Sequence, residues 1–72
     1  MQLHYLRQTG SVREYTMQFQ NIVDQITDMN TMDQVIQYVD GLKLTTKIEV
    51  ELNIPNTLLD TITYTTQVDN IM

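Results

Sequence analysis

Cysteine, tryptophan and alanine are absent from this 72-residue sequence, proline occurs once and glycine twice. Without cysteine, no disulfide can staple a chain of a size that buries only about 60–65% of its unfolded surface. Zinc–thiolate sites and cysteine nucleophiles are excluded for the same reason. His4 is the single histidine, which argues against a His-based metal cluster; we expect it to be a partly exposed terminal residue. No apolar run exceeds three residues, so neither a transmembrane span nor a signal-peptide core is visible. Basic residues are scarce too: 4 Lys+Arg stand against 9 Asp+Glu, a net charge of −5. That balance argues against this segment gripping a phosphate backbone. What remains is one small domain over residues 1–72, which gains stability by associating.

What is present pulls two ways. Val, Ile and Thr supply 24 residues, and β-branched side chains favour strands. Yet only Gly10, Gly41 and Pro55 break the chain, too few for a typical all-β domain. The spacing of the apolar residues decides for helices over most of the length.

Over residues 12–27, Val12, Tyr15, Phe19, Ile22, Val23 and Ile26 recur at three- and four-residue steps and fall on one helical stripe. Ser11 and Glu14 have the capping-box spacing, in which each side chain serves a free backbone N–H of the other. Gly10 gives the chain a flexible entry. A helix over 31–40 starts from Asn30 or Thr31, with Gln34 completing a possible second box. Val35, Val39 and Leu42 centre its apolar face, with Met32, Ile36 and Tyr38 at the edges, and Gly41 stands where a C′ glycine takes positive φ. A further helix over 57–70 follows Pro55, capped by Asn56 or Thr57, with Leu58, Thr61, Ile62, Thr65 and Val68 on one face. Its threonines make it poor in isolation, so packing must hold it. Leu3 and Leu6 suggest a short helix over 2–8.

Residues 47–54 alternate polar and apolar side chains, the pattern of a half-buried strand. No second alternating run exists to pair with it, so a strand would need another molecule. The alternative is a short helix with Ile48 and Leu52 facing in and Val50 facing out. The pattern leaves both open.

Four pieces in order resemble the C-terminal domain of the capsid region of Gag proteins, especially those of gypsy-class LTR retrotransposons. Leu6-Arg7-Gln8-Thr9-Gly10-Ser11-Val12, continuing to Tyr15 and Phe19, is similar to the start of retrotransposon Gag and to the retroviral major homology region. Tyr38-Val39-Asp40-Gly41-Leu42 is similar to the family's Phe–Leu–x–Gly–Leu. The polar-apolar segment follows, and then Pro55-Asn56-Thr57-Leu58-Leu59-Asp60-Thr61-Ile62, similar to Pro–x–Thr–Leu–x–Glu–Ala–Ile. Thr61 and Thr65 stand where the family usually carries small residues, and Gln18 where many retroviral sequences carry arginine. The zinc knuckle and the amino-terminal capsid lobe of Gag have no counterpart in these residues, so we expect an excised domain.

The resemblance implies an all-α bundle of about five short helices, with residues 45–53 helical. It implies a structural, non-enzymatic domain that dimerises and assembles into intracellular, cytoplasmic virus-like particles. Alternatives with related folds are a domesticated Gag domain that binds partners or peptides, as in the neuronal Arc protein, and a SCAN-type dimerisation module. No cofactor, nucleic acid, membrane or small-molecule substrate is expected for this domain. Gln8, Gly10, Ser11 and Glu14 would form a major-homology-like hydrogen-bond network, against the plainer reading of ordinary helix capping. Tyr15, Phe19, Ile22, Val39, Leu42, Leu58 and Ile62 are the expected core anchors. Met17, Val50 and Leu59 fall off the inner faces and are candidate interface residues. Asp24, Asp28 and Asp33 lack the pattern of a calcium loop and read as solvated surface. No carboxylate pair is placed for acid–base work, and there is no Gly-rich phosphate loop.

Overall fold

The computed structural model describes residues 6–26 and 28–71. Four helices follow one another: α1 (Val12–Val23), α2 (Thr31–Asp40), α3 (Leu44–Glu51) and α4 (Leu58–Ile71). Among the described residues there is no strand. The bundle therefore has four helices where about five were expected. Residues 6–8 are not helical, because their polar groups are used elsewhere: the Gln8 N–H donates to the Gly41 carbonyl at 2.8 Å. The rest of the expected 2–8 helix, with Leu3 and His4, lies outside the described residues.

Helix α1 starts where the capping signal places it. Ser11 Oγ accepts the Glu14 N–H at 3.1 Å, and Val12, Tyr15 and Phe19 are buried. The helix stops at Val23 instead of running to 27. Gln25 and Ile26 donate to the carbonyls of Ile22 and Val23 at 3.1 and 2.9 Å, the tighter three-residue closure that often ends a helix. Ile26 still packs on the core. Helix α2 is capped by Asn30, whose side chain accepts the Asp33 N–H at 2.8 Å. Gln34 does not turn back to the cap: its amide donates to the Met29 carbonyl at 3.2 Å.

The ambiguous stretch is helical only as far as Glu51, short of the expected end at 53, and its faces are the reverse of those expected. Thr46 and Val50 point into the core, while Leu44, Ile48 and Leu52 face out. Val50 is fully buried, so it is a core residue and not a candidate contact with another molecule. Apolar side chains at 48, 50, 52 and 54 give a helix hydrophobic groups on both sides, and tertiary anchoring selects which side turns in. That anchoring is visible at the helix start, where the Lys43 N–H donates to Gln8 Oε1 at 3.0 Å.

Helix α4 packs against the other three. Thr57 caps it, its Oγ1 accepting the Asp60 N–H at 3.1 Å. Thr61, Thr65 and Val68 are buried. Thr61 Oγ1 donates to the Thr57 carbonyl and Thr65 Oγ1 to the Thr61 carbonyl, both at 2.7 Å. Each buried hydroxyl is thus satisfied within the helix, and a methyl is left to pack. The threonines that weaken α4 as an isolated helix are compatible with the core for this reason.

The core consists of Tyr15, Phe19, Val35, Tyr38, Val39, Leu42 and Val50. Ile22, Leu58 and Ile62 pack around it, half-buried. The Cα radius of gyration is 11.1 Å, close to the roughly 11 Å of a compact chain of this length.

Candidate functional site

The segment Leu6–Ser11 precedes α1, bends at Thr9 and Gly10, and is bonded to the corner between α2 and α3. Gln8 is the joint. It is 8% exposed, and both ends of its amide are used. Nε2 donates to the Gly10 carbonyl at 3.0 Å, and Oε1 accepts the Lys43 N–H at 3.0 Å. With the Gln8 N–H on the Gly41 carbonyl, one residue closes its own turn and clamps the corner formed by residues 41–43. An amide is suited to this, since it is donor and acceptor in one plane. Outside the clamp, Arg7 Nη1 donates to the Asp40 carbonyl at 2.9 Å. Lys47 Nζ lies 3.3 Å from the Asp40 carboxylate.

Ser11, Gly10 and Glu14 complete the turn. The Glu14 carboxylate lies over Gly10, where an added Cβ would sit 3.4 Å from Oε2. The structure therefore joins a helix cap and a long-range clamp in one turn.

Gly41 is placed by space and not by backbone hand. Its φ is −86°, in the right-handed region, which corrects the expected positive φ. A Cβ there would overlap the Tyr15 hydroxyl and stand 2.7 Å from the Leu6 carbonyl oxygen. That hydroxyl is fixed by donating to the Tyr38 carbonyl at 2.7 Å in a buried bond. The Tyr38 hydroxyl in turn pairs with Thr16 Oγ1 at 2.7 Å. Tyr15, Phe19 and Tyr38 form an aromatic cluster, with Phe19 edge-on to Tyr38 at 5.1 Å and Tyr15 5.2 Å from Tyr38. Burial pushes the Tyr15 hydroxyl well above the usual tyrosine range, with Tyr38 and Asp40 adding to the shift and Arg7 opposing it. Burial also raises Tyr38, against the hydrogen bonds from Thr16 and Thr65. Neither hydroxyl ionises near neutral pH, so the cluster is a fastening and not an acid–base pair.

Of the other expected positions, Val39 and Leu42 are in the core, while Met17 and Leu59 stand on the outer sides of α1 and α4, 61% and 70% exposed. Sequence reasoning missed Tyr38, placed at the edge of α2 but fully buried. The signal for it was its three-residue step from Val35, on the inner stripe. It also missed the outward row Leu44, Ile48 and Leu52. Among the described residues, no group of three or more His, Cys, Asp or Glu could hold a metal ion, and no helix is long and apolar enough to cross a membrane. A shallow groove of about 430 Å³ runs between the start of α1 and the end of α4, lined by Arg13, Met17 and Asp69 among others.

The first helix of the bundle is thus entered through a clamp made by Gln8, Gly10 and Ser11. The family model for the PEG10/RTL1 C-terminal capsid-like domain matches residues 1–72. The chain belongs to this family and is a Gag-derived, capsid-like domain. Neither a curated protein nor a solved structure gives a significant match.

Proposed function

We propose that this domain is a non-catalytic structural unit of a Gag-type shell, which dimerises and takes part in assembling intracellular, cytoplasmic particles. The observation that carries the reading is the outer surface of the bundle. Every helix presents an apolar side chain at least half exposed: Met17 on α1, Ile36 on α2, Ile48 on α3 and Leu59 on α4. Single exposed hydrophobes are ordinary. Their presence on all sides of a domain this small favours contacts with other copies in a lattice. Membership of a capsid-like family supports the same reading. The partner is a second copy of the chain. The net charge of −5 supports leaving nucleic acid to other segments.

A dilution series of amide NMR spectra tests this. Self-association shifts amides at outward positions as concentration rises and leaves those around Phe19 and Val35 in place. Spectra that do not change with concentration would refute it.

A further inference from the structure

We infer that the segment Leu6–Gln8 is a strap on which the helical state of α3 depends. Docked, it holds α3 wound; released, it lets α3 unwind while α1, α2 and α4 stay packed. The local sequence of α3 opposes a helix on every count. Its eight residues fall short of the roughly 12–15 that an isolated helix needs. Thr45, Thr46, Ile48 and Val50, half of them, are β-branched. Lys43 puts a positive charge at the start, and Glu49 and Glu51 put negative charges in the last turn, both against the helix dipole. No side chain of its own caps it, whereas α1, α2 and α4 are capped by Ser11, Asn30 and Thr57. Residues 47–54 also carry the alternation of a strand.

The missing cap comes from the strap. Gln8 Oε1 accepts the Lys43 N–H at 3.0 Å, one of the donors left open at a helix start. The Gln8 N–H donates to the Gly41 carbonyl at 2.8 Å, Arg7 to the Asp40 carbonyl at 2.9 Å, and Leu6 packs on the core. The strap therefore fixes the corner from which α3 departs, and Lys47 Nζ reaches back to the same Asp40 at 3.3 Å. The other three helices have fastenings of their own. Tyr15, Phe19 and Tyr38 join α1 to α2, and α4 packs against both. In α3 only Thr46 and Val50 are buried, so its unwinding uncovers little. The outward row Leu44, Ile48 and Leu52 exists as a row only while α3 is wound. The position of the chain just before α1 thus decides whether that surface is presented. Coupling of this kind is reciprocal, so whatever stabilises α3 also tightens the strap.

Site-resolved amide hydrogen exchange tests the coupling. In Gln8→Ala, the amides of residues 47–51 should lose about tenfold more protection than those of Phe19 and Tyr38, because exchange reports local opening. Lys43→Ser gives α3 a cap of its own and removes the adverse charge. It should restore that protection in the Gln8→Ala chain. In the otherwise native chain it should slow exchange of the Gln8 N–H, a measurement that needs no weakened variant and decides the matter if Gln8→Ala does not fold. Equal loss at α3, Phe19 and Tyr38, no loss at α3, or a Gln8 N–H indifferent to Lys43→Ser would overturn the control of α3 by the strap and leave Gln8 a general fastening.

Discussion

The Tyr15 hydroxyl occupies the volume that a side chain on Gly41 would need. Tyr15 lies on α1 and Gly41 caps the end of α2, in different sequence motifs, and the contact ties the two helices together. It explains why glycine follows Asp40 although its backbone conformation is open to any residue.

Gly41→Ala should therefore destabilise the domain by about 3 kcal/mol through overpacking, even though alanine relieves backbone entropy at such a site. Adding Tyr15→Phe removes the overlapping oxygen and should recover part of the loss. Recovery is partial because the Leu6 carbonyl still crowds the site and the bond to Tyr38 is gone. Thermal melts of the single and double variants give the coupling directly. Additive losses would place the cause in the backbone instead.

Replacing Gln8 by Ala leaves the Lys43 N–H and the Gly10 carbonyl without their partner. A cost of about 1–3 kcal/mol is expected. Ser11→Ala, which loses one exposed cap bond, should cost about 1 kcal/mol. Denaturant midpoints rank the two, and amide exchange at Lys43 should accelerate only in the Gln8 variant. If Ser11→Ala proves the more damaging, the turn is a helix cap and the clamp is incidental.

Phe19→Ala or Tyr15→Ala should cost about 3–5 kcal/mol, since both rings are buried. That is a large part of the stability of a domain this size. Far-UV circular dichroism melts report the loss. Unchanged melting would mean that the α1 stripe does not face the core.

How legible these features were depends on the range of the forces behind them. The starts of α1 and α2 were readable because cap and periodicity are local and agree at Ser11 and Asn30. The joint at Gln8 was legible only as a resemblance, since its partner Lys43 lies far along the chain. Gly41 was assigned a conformational role because its constraint comes from Tyr15, which no local pattern reveals. In α3 the inward face was misjudged, because the alternation offers equal apolar area on either side and the choice is made by the corner that Gln8 holds.

Alkaline pH should unfold the domain in a definite window. Tyr15 and Tyr38 both ionise less readily in the folded chain than the ordinary tyrosine value of about 10. The folded state thus holds protons that the unfolded state releases. This contribution to stability is complete below about pH 10 and is lost as pH rises beyond it. Denaturant titrations at increasing pH should show a plateau followed by a fall, with a late tyrosinate absorbance step coinciding with unfolding. A stability that rises through this range would contradict the burial of the two hydroxyls.

The claim that the domain exists to meet copies of itself is tested most directly by sedimentation equilibrium of the 72-residue chain. The account predicts a weight-average mass that climbs from the 8.4 kDa monomer toward twice that value as concentration approaches about 1 mM. A mass that stays at the monomer value throughout would contradict it.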